Sequence, residues 1–220
     1  MRPASLIEQL ASRYAAAIFD FDGTLADSMD VWDTVCRRWL TSKGIYAGEA
    51  LERDISAMTL TQSAEYVRRQ YGLSLPVSCV LEEWEELVCR QYLHTVPLKA
   101  GAAALAADLA RRGMKMGIAT SCFPAACEGA LARHGIREYF SAILYTHEAA
   151  RDKTFPDVYL ACAARLGAAP ESCVVFEDFP AAASGVRAAG MGLVAVYDRH
   201  SAKHWDAFRH EADFALLPVR

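Results

Sequence analysis

The 220-residue chain is 53% hydrophobic and 23% charged, with a formal net charge of −4. That is apolar material enough for a real core, in one domain or in one domain carrying an insertion. The acidic balance leaves no electrostatic footprint for nucleic acid. Small anionic metabolites stay open, because the charge lining a cleft matters more than the net value.

Seven cysteines (Cys36, Cys79, Cys89, Cys122, Cys127, Cys162 and Cys173) are scattered, odd in number and without C-x-x-C spacing. This argues against a disulfide framework or a zinc site and fits a reducing compartment. The opening MRPASLIEQLASRY lacks the apolar core of a signal peptide. No apolar stretch approaches the roughly 20 residues of a membrane span. A cytoplasmic protein without a membrane partner is expected.

In chain order, residues 5–13 predict a short helix with Leu6, Ile7 and Leu10 on one side, serving only to pack. AAAIFDFDGTLADS follows, residues 15–28. Ala15 to Phe19 form a continuous apolar run closed by a turn signal at Gly23, the pattern of a strand buried on both faces of a parallel sheet. Asp20 and Asp22 then stand where that strand ends, the edge at which open α/β sheets bind ligands. Two neighbouring carboxylates repel each other, so either a divalent cation lies between them or one of them caps backbone amides in a turn.

Residues 28–96 read as helical throughout. Trp32, Val35, Cys36, Trp39 and Leu40 make one apolar stripe, ended at Lys43-Gly44. Ala64, Val67 and Tyr71 make a second, ended near Gly72, and Val80, Leu81, Trp84, Leu87, Val88 and Tyr92 a third. The opposite face of the third carries Glu82, Glu83, Glu85 and Glu86, read as a solvated surface. Beyond Pro97 and Gly101 helices alternate with short apolar strands. Helices are expected over 101–112, 124–134, 156–166 and 180–189, and strands over Met114–Ala119, Ala142–Tyr145, Cys173–Phe176 and Leu193–Val196. Such alternation implies an α/β fold, a Rossmann-like, doubly wound parallel sheet. The expected division is core 1–27, helical insert 28–96 and core 97–220.

Two further strand ends and one helix start carry polar residues. Met114–Ala119 leads into Thr120-Ser121, whose hydroxyls suit either a phosphate cradle or a helix N-cap. Lys153 precedes Pro156-Asp157 at a helix start and is either a surface lysine or a fixed cation for a phosphoryl group. Cys173–Phe176 runs into Glu177-Asp178, two acids that are out of place at a buried strand end unless a cation lies there or Asp178 caps a helix.

FDFDGTLADS resembles the first signature, D-x-D-G-T, of the haloacid dehalogenase superfamily. Thr120 matches the second motif of that superfamily, Lys153 with Pro156-Asp157 the third, and Glu177-Asp178 the fourth. The third motif departs in one place: Thr154 stands where proline is commonest. The chain is most similar to the helical-capped β-phosphoglucomutase-like phosphatases, in which an insert after the first motif is a mobile cap. The resemblance implies Asp20 as nucleophile and Asp22 as acid and base, with Thr120, Ser121 and Lys153 on the phosphoryl oxygens. It also implies Mg²⁺ held by Asp20, Asp178, Glu177 and the Asp22 backbone carbonyl, and a small phosphorylated metabolite as substrate. A halide leaves without protonation, so an acid at Asp22 favours an oxygen leaving group. Trp32 stands where β-phosphoglucomutases carry a cap histidine, and Thr59 to Gln62 where they carry a phosphate-gripping arginine, so a phosphatase is expected ahead of a phosphosugar mutase. A non-enzymatic phosphate-binding module is the third reading. A monomer is expected. Trp32 is assigned to the insert's core, and His200 and His204, four apart, to the surface rather than to a metal.

Overall fold

A computed structural model describes residues 5–48, 50–55 and 58–217. The chain divides into two compact units, residues 28–96 and the remainder.

The larger unit is built on one wholly parallel sheet of six strands, ordered β3-β2-β1-β4-β5-β6. The strands are β1 (Ala16–Phe19), β2 (Lys115–Thr120), β3 (Ala142–Tyr145), β4 (Cys173–Glu177), β5 (Gly192–Val196) and β6 (Phe214–Leu216). All four residues of β1 and all five of β4 are buried, which is why these strands read as unbroken apolar runs. Phe19 pairs in register with Ile118 on one side and Phe176 on the other, and its ring stacks on Phe176 at 4.3 Å. The chain leaves β1 for β2 and β3, then returns to the other side of β1 with β4. Strand order therefore reverses at β1, so the C-terminal ends of β1, β2 and β4 border one crevice.

Among the described residues, six α-helices flank the sheet: α1 (Leu6–Arg13), α6 (Ala102–Arg111), α7 (Pro124–Arg133), α8 (Asp157–Leu166), α9 (Ala183–Ala188) and α10 (Trp205–Glu211). Ser5 starts α1 through a capping box with Glu8. The helix expected over 180–189 opens as a 3₁₀ turn at Pro180–Ala182, a form common at helix ends, and becomes α-helical at Ala183. The sequence pattern did not reveal β6. Its three residues, Phe214-Ala215-Leu216, are apolar but make a short run at the sheet's edge that alternates between half-buried and exposed. The strands expected at Met114–Ala119 and Leu193–Val196 sit one residue later and begin one residue earlier, respectively.

The smaller unit holds α2 (Met29–Ser42), α3 (Leu51–Ile55), α4 (Leu60–Gln70) and α5 (Val77–His94). The stripes of α2 and α5 face each other, with Trp39 and Trp84 edge to face at 5.9 Å. Thr59 caps α4 in a capping box with Gln62, so these two residues of the Thr59–Gln62 stretch serve the backbone. The acidic run of α5 is not uniformly solvated. Glu82 and Glu86 are exposed, whereas Glu83 accepts from Trp39 Nε1 at 2.7 Å and pairs with Lys43. Trp32 is half-buried and donates to Tyr92 Oη at 2.8 Å, beside a cavity of about 250 Å³ that Met29, Ser63 and Trp84 also line. All seven cysteines are free thiols, and no helix among the described residues is long and apolar enough to cross a membrane.

Candidate active site

The end of β1 delivers Asp20, and the end of β4 delivers Glu177 and Asp178. Each of these offers a carboxylate oxygen within 4.8 Å of the others, and all three are buried. Among the described residues this is the one group of three or more His, Cys, Asp or Glu side chains able to hold a metal ion. His200 and His204 form no such group.

The turn after β1 explains how the acids come so close. Gly23 has φ +76°, open to glycine and strained for other residues, and a Cβ there would overlap the Asp178 carboxylate. Thr24, also buried, donates its hydroxyl to Asp178 Oδ1 at 3.1 Å. One turn thus spaces and orients both sides of the acidic group. Asp22 lies in the same turn and is half-buried. Its carboxylate is outside the group of three, on the side of Cys127, whose thiol is pushed up by burial and then by Asp22, Glu128 and Asp20.

Among the described residues, Lys153 supplies the one ammonium in direct contact with this nest. Its Nζ donates to Asp20 Oδ1 and, at 2.8 Å, to Glu177 Oε1, which also accepts from Tyr159 Oη at 2.8 Å. Burial works against the lysine's charge, but the two carboxylates outweigh it and hold the ammonium above the usual lysine range. Burial raises the Glu177 carboxyl, with Lys153 opposing and Asp20 adding to the rise. Asp178 is pushed well above the aspartate range by burial and then by the charges of Asp20 and Glu177. Three carboxylates therefore share one ammonium. Glu177 Oε2 is buried with no hydrogen-bond partner among the described residues. Unmatched negative charge, an orphaned buried oxygen and a donor set of hard oxygens together fit Mg²⁺.

The loop bearing Lys153 is held from both sides. The departure from proline at Thr154 is offset by the Asp152 side chain, which accepts both the Thr154 amide and its hydroxyl. Ser184 Oγ donates to the Thr154 carbonyl at 2.9 Å, and a Cβ on Gly185 would overlap the carbonyls of Lys153 and Phe155. Helix α9 and the lysine loop thus touch backbone to backbone, which only glycine permits.

Thr120 is fully buried at the end of β2, and its Oγ1 accepts the Cys122 amide at 3.0 Å, leaving the hydroxyl proton free to be donated. The N-cap of α7 is Phe123, so Thr120 is not that helix's cap. Ser121 is exposed and its Oγ accepts from Thr146 Oγ1 at 3.2 Å. Likewise Phe179, not Asp178, precedes the 3₁₀ turn after β4, and no side chain caps it. The sequence pattern alone does not single out Thr24, Tyr159 or Gly185. Thr24 belongs to the quoted motif, and Gly185 breaks an alanine-rich helix. Tyr159 sits among the apolar residues of α8 and carries no signal of its own.

A family model described as a haloacid dehalogenase-like hydrolase matches residues 14–190. Fructose-1-phosphate phosphatase YqaB of Escherichia coli K12 is 33% identical over 190 residues, covering 84% of this chain and 97% of that protein. Hexitol phosphatase A of the same organism is 29% identical, covering 81% of each chain. The crystal structure of CbbY from Rhodobacter sphaeroides in complex with phosphate superposes with a TM-score of 0.77 at 22% identity, over 92% of this chain and 93% of that one.

Proposed function

We propose, from the premise that this chain belongs to the haloacid dehalogenase-like hydrolases and is a phosphoric monoester hydrolase, that it is a Mg²⁺-dependent phosphatase of small sugar or polyol phosphates acting through an aspartyl-phosphate. Residues 28–96 serve it as a cap. The observation that carries the reading is the buried meeting of Asp20, Glu177 and Asp178 around Lys153. The substrate class follows the fructose-1-phosphate and hexitol phosphatases that the chain resembles.

Spontaneous hydrolysis of a phosphate monoester is among the slowest reactions known, so the barrier must fall by on the order of 20 kcal/mol or more. Asp20 attacks phosphorus in line, and the ester P–O bond breaks as Asp22 gives its proton to the departing oxygen. The same Asp22 then takes a proton from water, which attacks phosphorus, frees inorganic phosphate and restores the Asp20 carboxylate. Thr120 and Ser121 donate hydrogen bonds to the phosphoryl oxygens, and Lys153 offsets the charge that spreads over them. When bound, Mg²⁺ would be held by Asp20, Asp178, Glu177 and the Asp22 backbone carbonyl and would supply the positive charge that lets a carboxylate approach a phosphate dianion.

A panel of sugar and polyol monophosphates with p-nitrophenyl phosphate as the generic ester tests this, read as released phosphate. Turnover abolished by Asp20→Asn and by chelation is expected. A hexose 1-phosphate converted to its 6-phosphate isomer without free phosphate would replace the phosphatase with a mutase. No turnover across the panel by Mg²⁺-loaded protein would leave only a binding module.

A further inference from the structure

Two short segments join the sheet-bearing unit to the helical insert, and within the former they are paired. The Lys99 amide donates to the Leu25 carbonyl at 2.9 Å, the Asp27 amide donates to the Pro97 carbonyl at 2.9 Å, and Ala26 bridges Leu98 antiparallel. The outgoing segment begins in the turn that carries Asp20, Asp22 and Gly23. The returning segment brings in Lys99. Its ammonium donates three hydrogen bonds: to the Gly23 carbonyl at 2.6 Å, the Tyr197 carbonyl at 2.7 Å and Asp198 Oδ2 at 2.7 Å. Asp198 is 2% exposed, and its other oxygen accepts the His200 amide at 2.8 Å.

An ammonium has three protons, and here all three have assigned acceptors. Lys99 is thus a fixed bracket rather than a ligand for substrate. One arm grips the peptide that follows Gly23, and the other two are anchored at the end of β5. That peptide is the link between Gly23, whose missing Cβ admits the Asp178 carboxylate, and Thr24, whose hydroxyl orients it. With its carbonyl pinned, the peptide cannot rotate, and Thr24 keeps its reach to Asp178 Oδ1. A carbonyl held by a charged donor is held roughly twice as strongly as by a neutral one.

We propose that Lys99, anchored by Asp198, is a positioning residue for phosphoryl transfer: it locks the Asp20–Thr24 turn from the point where the chain re-enters the sheet-bearing unit. The inference rests on the reading of Asp20 as the nucleophile. It makes a separable claim, namely that a residue touching neither substrate nor metal sets the rate.

The test compares Lys99→Met, Lys99→Arg and the double variant Lys99→Met/Asp198→Asn with wild type and Asp20→Asn, on p-nitrophenyl phosphate at saturating Mg²⁺. Amide hydrogen exchange of peptides covering residues 20–27 is read in parallel. The double variant guards against misfolding caused solely by leaving the buried Asp198 charge unpaired. Expected are a kcat reduced about tenfold or more in Lys99→Met and in the double variant, KM within about threefold, faster exchange in the turn, and recovery of rate in Lys99→Arg. If the double variant regains wild-type kcat, Lys99 merely neutralises Asp198 and the inference falls. It also falls if kcat stays within twofold in both Met-bearing variants, or if rate is lost with exchange unchanged. An inactive wild type, or an Asp20→Asn as fast as wild type, would sink the phosphatase reading and this inference with it.

Discussion

Replacing Lys153 by methionine removes the cation from a buried nest of three acids while keeping most of the side chain's volume. In the folded protein Lys153 is 8% exposed, Asp20 6% and Glu177 0%, so little water can replace the lost ammonium. Breaking a buried ion pair by deleting one partner costs about 3–5 kcal/mol, because the remaining charge stays buried and unmatched. At about 2–4 °C per kcal/mol for a chain of this size, the melting temperature in chelator falls by about 6–20 °C. Magnesium then acts as a graded rescue. A ligand at 100 times its Kd stabilises the form that binds it by about 2.7 kcal/mol. The variant's metal site has lost a competing ammonium, so Mg²⁺ narrows the gap to wild type rather than shifting both proteins equally. The assay is a pair of thermal melts, with chelator and with millimolar Mg²⁺, beside phosphate release. Activity falls by about 10² to 10³ or more if the ammonium stabilises the transferring phosphoryl group. A chelated variant melting within about 1 °C of wild type would refute the reasoning, since the buried carboxylates would then tolerate loss of the ammonium that contacts Asp20 and Glu177.

Gly23→Ala forces a left-handed residue to carry a Cβ, at about 1–2 kcal/mol, and displaces the Asp178 carboxylate. Mg²⁺ affinity, measured by calorimetry, should weaken at least tenfold, with activity falling beside it. Gly185→Ala drives a methyl into the Lys153 and Phe155 carbonyls, which are backbone and cannot swing aside. Overpacking of this kind costs about 1–3 kcal/mol, and kcat should fall although residue 185 touches no substrate. Asp213 accepts the Leu193 amide and the Arg187 guanidinium. Burial opposes its charge, but those two donors prevail and hold its pKa below the usual aspartate range. A depressed acid contributes stability above its unfolded pKa of about 3.9 and loses it as pH falls through the lower folded value. Asp213→Asn should therefore be less stable than wild type by about 1 kcal/mol or less at pH 7. That difference should shrink as pH falls below the unfolded value and vanish once Asp213 is protonated in the folded protein as well.

Much of this molecule was legible in its residues because the relevant forces are local. A strand buried on both faces has to be apolar throughout, so β1 and β4 announced themselves, and acids placed at their ends stood out as needing charge compensation. Helix stripes in 28–96 recur at 3.6 residues because one side must meet a partner, and Trp39 and Trp84 do meet. Thr59 and Gln62 form a cap from residues three positions apart, and Pro180 opens the turn from which the next helix starts. These too follow from neighbours along the chain.

What only the tertiary structure decided is which distant groups share a charge or a space. Lys153 contacts Asp20 across 133 positions, and Thr24 reaches Asp178 across 154. Tyr159 looks like any apolar residue of α8 until Glu177 is set against its hydroxyl. Gly185 reads as a flaw in a helix until the carbonyl of Lys153 fills the place of its side chain. Lys99 resembles a surface lysine until the sheet brings the Gly23 carbonyl and Asp198 to its ammonium. Composition and period encode what each segment must bury. Pairing between segments depends on the order in which strands lie side by side, and that order is set by the packing of the whole sheet.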